Sequence, residues 1–173
     1  IQQGYAQSIV SDDGNLDIYA GSDWQDMNTV NETGKHAGRY LYRTHEVRPS
    51  ANNPGAYTGG AVSVIDLKTN KTTLVAQRRD WEALDGIVWT PWGTVLFAEE
   101  TGSALLRDPD HPSAIRGLLY ELKFDKHDPT KADWIKVRPM LGSVSHEGIE
   151  FDSEGNVYVI DENGPGAIFK FVP

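Results

Sequence analysis

The chain has 173 residues, 39% of them hydrophobic and 24% charged, which is the composition of a globular domain. It has no cysteine, which excludes disulfide scaffolds, zinc–thiolate sites, iron–sulfur clusters and cysteine nucleophiles. Its 25 acids against 16 lysines and arginines give a net charge of −9, so phosphate backbones are repelled and nucleic acid is not an expected partner.

The first residues carry a turn signal, Asp13-Gly14-Asn15, and acids or amides alternate through Asp17. This resembles the start of a calcium loop, but Trp24 stands where an EF-hand has its glutamate. Residues 1–37 are otherwise an unplaced segment. Alternating strands are predicted over 38–44, 60–66, 73–75, 86–89, 94–98, 117–122, 156–160 and 167–171. Turn residues separate them, as at Thr69-Asn70, Pro91-Trp92-Gly93 and Ser153-Glu154-Gly155-Asn156. The one short stretch with a helical or turn reading is Asp80 to Leu84. The segment around Asp125 and Asp133 reads as a solvated loop. No apolar run approaches the roughly 18–20 residues that a membrane span needs. The sequons at Asn31 and Asn70 are weak signals.

An internal repeat separates the all-β alternatives. Residues 85–100 align without a gap with residues 147–162, 62 positions on. Both copies read acid, Gly, Ile, any, aromatic, turn, Gly, any, Val, two apolar residues, any, two acids. A weaker echo lies at Ser8–Asn15. Strand, tight turn, strand, loop, strand is most of a propeller blade, so the chain is predicted to be all-β and part of a single β-propeller domain. At about 40–50 residues per blade it supplies three to four blades.

The acids at the repeat ends are the candidate metal ligands: Glu99, Glu100, Asp161 and Glu162, with Glu147 opening the second copy and Glu46 after the 38–44 strand. Neighbouring side chains on a strand face opposite ways, so one acid of each pair should point inward. Carboxylates that converge require a compensating cation or proton. Oxygen ligands favour calcium or magnesium, with iron or manganese as further options. His146 and Glu147 are candidate catalytic residues, because a histidine there can bind metal or move a proton. Thr90-Pro91-Trp92-Gly93-Thr94 reads as a structural turn with Trp92 packed over its hairpin.

Thr90–Thr94 followed by Ala98-Glu99-Glu100-Thr101 resembles the signature of PhoX-type bacterial alkaline phosphatases and their uncharacterised relatives. Ser145-His146-Glu147-Gly148 with Gly155–Glu162 is similar to a later segment of that family, and Gly38–Glu46 to an earlier one. The resemblance implies a six-bladed propeller, usually exported to the periplasm or outside, with calcium and iron held by carboxylates in the channel. By motif, Glu99 or Glu100, Glu147 and Glu46 fall on ligand positions, and the substrate is a small phosphate ester. The family's characterised phosphatases use a cysteine ligand and an arginine before the glutamate. This chain has neither, carrying Ser145-His146 instead, and so resembles the uncharacterised relatives more closely. A six-bladed ring needs roughly 240–300 residues, so the remainder of the chain's own protein is an expected partner. Two other readings fit an acid-lined propeller: a calcium-stabilised binding or surface module, and a lactonase- or esterase-like hydrolase.

Overall fold

The computed structural model describes residues 23–48 and 59–173. They form three antiparallel sheets. The first holds β1 (Asp23–Val30), β2 (Tyr40–Val47), β3 (Ala61–Asp66) and β4 (Lys71–Gln77) in that order. The second holds β5 (Leu84–Trp89), β6 (Val95–Glu99), β7 (Leu119–Phe124) and β8 (Ala132–Val137). The third holds β9 (His146–Phe151), β10 (Val157–Asp161) and β11 (Ala167–Phe171). A single 3-10 turn at Pro139–Leu141 precedes β9. There is no α-helix among the described residues, and of Asp80–Leu84 the first residue closes a turn, 81–83 are irregular and Leu84 begins β5.

The innermost strands β1, β5 and β9 lie side by side. Each sheet therefore stacks on the next as a propeller blade does. The described residues stop at three sheets and do not close into a ring.

Side-chain alternation gives each sheet two apolar faces, and both inter-sheet layers are filled by them. Tyr42, Val62 and Val64 meet Trp89, Phe97, Tyr120 and Phe124 between the first two sheets. Tyr42 stacks on Phe124 with ring centres 4.4 Å apart, and Trp81 meets Phe97 edge-on at 5.1 Å. Leu96, Ala98 and Leu119 meet Ile149, Val157 and Val159 between the second and third. Each fully buried large side chain contributes roughly 1.5–3 kcal/mol. Trp92, expected over its own hairpin, instead stays half exposed and reaches the third sheet. It donates to Glu121 at 2.7 Å and packs edge-on against Phe151.

The repeat holds at atomic detail. The Thr90 amide donates to the Thr94 carbonyl, and the Asp152 amide to that of Asn156. The side chains of Thr90 and Asp152 accept the Thr94 and Asn156 amides. Gly93 and Gly155 both take φ of 82°, where glycine is favoured. The first sheet is a third copy. Its Asn31 side chain accepts the Tyr40 amide, and Asn31 and Tyr40 exchange a backbone bond. Asn31 is thus a buried turn residue with three side-chain hydrogen bonds, which leaves its amide nitrogen committed to His36.

Two strands were not expected. β1, DWQDMNTV, has no clean apolar alternation, and β8 falls in the segment read as a loop. The early echo at 8–15 and the calcium-like Asp13–Asp17 stretch lie outside the described residues.

Candidate metal centre

The inner strands each carry a β-bulge, and the bulges are what place the acids. Two residues oppose one: Asp26-Met27 against Thr44, Asp85-Gly86 against Ala98, and Glu147-Gly148 against Ile160. A bulge re-aims the side chain it carries. The first residue of all three bulges is an acid. The flanking pairs are Gln25 with His45, Leu84 with Glu99, and His146 with Asp161. One residue further on, the equivalent positions are Glu46, Glu100 and Glu162. Three blades therefore deliver two matching rows: Asp26, Asp85, Glu147 and Glu46, Glu100, Glu162.

The rows meet. Single carboxylate oxygens of Glu100, Glu147 and Glu162 all lie within 4.8 Å of one another. Asp85 is 1% exposed and contacts the Glu147 carboxyl, and its Oδ1 has no hydrogen-bond partner. Its pKa is pushed well up, first by burial and then by Glu147, Asp26 and Glu46. Glu100 is also pushed up, by burial and by the carboxyls of Glu162 and Glu46, while Arg48 opposes the shift. Arg48 links two members of the second row, donating to Glu46 Oε1 and Glu100 Oε2 at 2.6 Å each.

The first acid of each expected pair faces the other way. Glu99 is buried and accepts the backbone amides of Glu82 and Leu118, both at 2.9 Å. Burial pushes its pKa up to about 8, although those two donors pull the other way. Asp161 accepts the amides of Ser145 and Asn163 and stands 3.5 Å from Arg116. His45, at the same position in the first sheet, shares a 2.8 Å bond with Ser63. These groups tie loops together inside the fold.

His146 belongs to this set buried within the fold, away from the acid cluster. Its ring is fully buried, Nε2 lies 3.4 Å from the Gly142 carbonyl, and Nδ1 has no partner. Burial pushes its pKa down to about 4, so it is neutral at pH 7. Strand alternation turns it away from Glu147, its chain neighbour, so it lies in the interior and not in the acid cluster. Of the expected residues, the structure brings Glu46, Glu100, Glu147 and Glu162 together and sets Glu99, Asp161 and His146 apart. Asp26 and Asp85 were not singled out. Asp85 was visible as the acid that matches Glu147 in the repeat.

The donor set fits a hard cation. Two oxygens each about 2.4 Å from one calcium ion stand no more than roughly 4.8 Å apart. The ligand atoms are all carboxylate oxygens, which suits calcium, magnesium or manganese. The buried, unpartnered Asp85 oxygen beside Glu147 is the kind of group a cation satisfies.

No family model matches the chain, and no curated protein does. Among solved structures it is similar to a luciferin-regenerating enzyme, with a TM-score of 0.60 and 12% identity over 94% of this chain and 45% of that one. It is also similar to a protein assigned as a gluconolactonase, with a TM-score of 0.46 and 11% identity over 81% of this chain and 42% of that one. Neither is a PhoX-type phosphatase. The chain spans less than half the length of either, and the likeness to the first shows a propeller-type, all-β fold.

Proposed function

We propose that the chain is part of a cation-dependent propeller hydrolase of the lactonase–esterase type. The observation that carries this reading is the convergence of Glu100, Glu147 and Glu162 on one volume, backed by buried Asp85. The fold is shared with a luciferin-regenerating enzyme, so an enzyme of this architecture has a precedent.

Glu100, Glu147 and Glu162 would hold a hard divalent cation, calcium first. When bound, that ion supplies Lewis acidity that polarises an ester or lactone carbonyl. Asp85 stands behind Glu147 and fixes its carboxyl, because the two acids share one buried contact. Arg48 is half exposed and tethered to Glu46 and Glu100, neighbours in the second acid row. Its remaining N–H groups are placed to take the carboxylate that ester or lactone opening releases. The sheets on either side exclude water from the inner edge of the acids but leave Glu162 open to solvent.

A second reading is hydrolysis of a phosphate ester, favoured by the Thr90–Thr94 and Glu99-Glu100 motif match. In that case Arg48 would contact the phosphate. A substrate panel separates the two. The purified protein is stripped with a chelator and then tested on γ- and δ-lactones, aryl esters and an aryl phosphate, before and after calcium is restored. The proposal predicts lactone or ester turnover that calcium restores. Dominant phosphate release supports the second reading. Tight calcium binding without turnover on any substrate contradicts both and leaves a binding module.

A further inference from the structure

The repeat allows the two gaps between neighbouring sheets to be compared position by position. Tyr40 and Trp89 at the first gap correspond to Thr94 and Phe151 at the second. At the second gap Trp92 lies edge-on against Phe151, and the cavity that remains is about 270 Å³. The first gap holds a cavity of about 550 Å³. Its hairpin turn is the longer one, and it carries Lys35 and His36 rather than a tryptophan. The floor is aromatic: Tyr42, Trp89 and Phe124 lie in planes within 26° of one another, and Tyr40 completes it. The rim is basic, with Lys35, Lys123 and Lys126 joined by His36 and His127.

Both walls are held from the core. Asn31 fixes the long turn through three side-chain hydrogen bonds, and Trp89 Nε1 donates to Thr33 Oγ1 at 3.1 Å. On the opposite wall the Tyr42 hydroxyl donates to the Pro129 carbonyl at 3.1 Å. The acid in the lining, Asp125, is turned into its own loop, where its Oδ1 accepts the amides of His127 and Asp128. Lys123 stands 3.6 Å from Asp133, but among the described residues Lys35 and Lys126 have no carboxylate partner. Such cations at the mouth of an aromatic cavity run against a net charge of −9. Trp89 follows Asp85 by four residues on β5, so the cavity lies about 13 Å along the strand from the acid cluster.

We propose that this cavity is a second ligand site, separate from the cation site, and that it takes a small planar aromatic carboxylate. The ring rests against Trp89 and Phe124, where edge-on and offset packing are both open to it. The carboxylate accepts from Lys35 and Lys126 at the rim. A preformed cavity of this size, apolar inside with a few polar groups to fix orientation, is the form that small-molecule sites take. A simple anion would leave the aromatic floor unused, and a neutral arene would leave the lysines unused.

The test is calorimetric titration of 2-naphthoate into the chelator-treated protein. A single saturable site is expected. Acetate and 2-naphthol, which carry only the charge or only the ring, should each bind at least about tenfold more weakly. Lys35→Ala and Lys126→Ala, made separately, should each weaken 2-naphthoate by roughly threefold or more. Both lysines are exposed, so neither change should move the melting temperature. Lys170→Ala removes the same charge outside the lining and should leave the affinity unchanged, as should Glu147→Gln. Absence of saturable binding, equal affinity for 2-naphthol, or an equal loss in the Lys170 variant overturns the proposal. Binding that requires calcium, or that Arg48→Ala removes, also overturns it, by placing the carboxylate at the acid cluster. Absence of calcium binding with 2-naphthoate binding retained defeats the cation site alone.

Discussion

At the residue scale, adjacent acids do opposite jobs. Glu99 and Glu100 are chemically alike, but one is buried against two backbone amides and the other faces Glu147 and Glu162. Glu99→Gln puts an amide NH2 where a backbone N–H needs an acceptor. It should cost about 1–3 kcal/mol of stability and leave calcium affinity unchanged. Glu100→Gln should do the reverse, weakening calcium at least tenfold with little change in the unfolding midpoint. Denaturant unfolding and calorimetric titration of both variants measure this. Similar effects from the two substitutions would contradict the division. The sequence motif exposed the acid pair, and strand alternation said that its members part. Which member faces inward depends on the bulge, which shifts the facing by one residue and leaves no composition signal. His146 was misplaced for the same reason.

The buried carboxyls also set the pH response. Glu99 in the fold holds its proton up to about pH 8, whereas an unfolded glutamate releases it near its ordinary value of 4.5. Between those values the native state binds more protons, so raising the pH favours unfolding. Asp85 and Glu100 are shifted in the same direction. His146, lowered to about 4 from 6.5, acts oppositely, but only between those values, where raising the pH favours the fold. Above about pH 6.5 the carboxyls prevail. Without divalent cations the melting temperature should therefore fall from pH 6.5 to pH 9. Saturating calcium should remove much of that slope, because the ion replaces the protons on the cluster. A melting temperature that rises over this range would contradict the assigned shifts.

At the scale of elements, the unit is a hairpin with a bulge at one end and a capped turn at the other. Two copies were legible because their turns have equal length, Thr90 to Thr94 and Asp152 to Asn156. The first copy was hidden because its turn runs from Asn31 to Tyr40, five residues longer, which breaks a gapless alignment. β8 was hidden because an edge strand needs only one apolar face: Ile135 and Val137 pack partly against the core while Ala132, Asp133 and Lys136 stay exposed. Close approach of bulges makes Gly86 indispensable. Gly86→Ala would drive a methyl into the Glu147 carbonyl and should destabilise the chain by on the order of 3 kcal/mol. It should also disturb the cation site, since the two bulges carry Asp85 and Glu147. A variant as stable as the parent would show that the second and third sheets do not meet as described.

For the whole molecule, the three sheets make an arc whose inner edge is acidic and whose last face is open. The net charge of −9 is thus partly a local device: carboxyls from three blades gather at the inner edge, where Arg48 pairs with Glu46 and Glu100. The propeller-type reading was available from the internal repeat and strand spacing. The convergence itself was not, because it joins positions up to 136 apart in number, from Asp26 to Glu162, through bulges that only the paired strands reveal. The most direct test of the account is calorimetric titration of calcium into the chelator-treated chain at pH 8, beside its Glu147→Gln variant. The account predicts a saturable site in the parent and at least tenfold weaker binding in the variant. Absence of binding in the parent, or equal affinity in the two proteins, would contradict it.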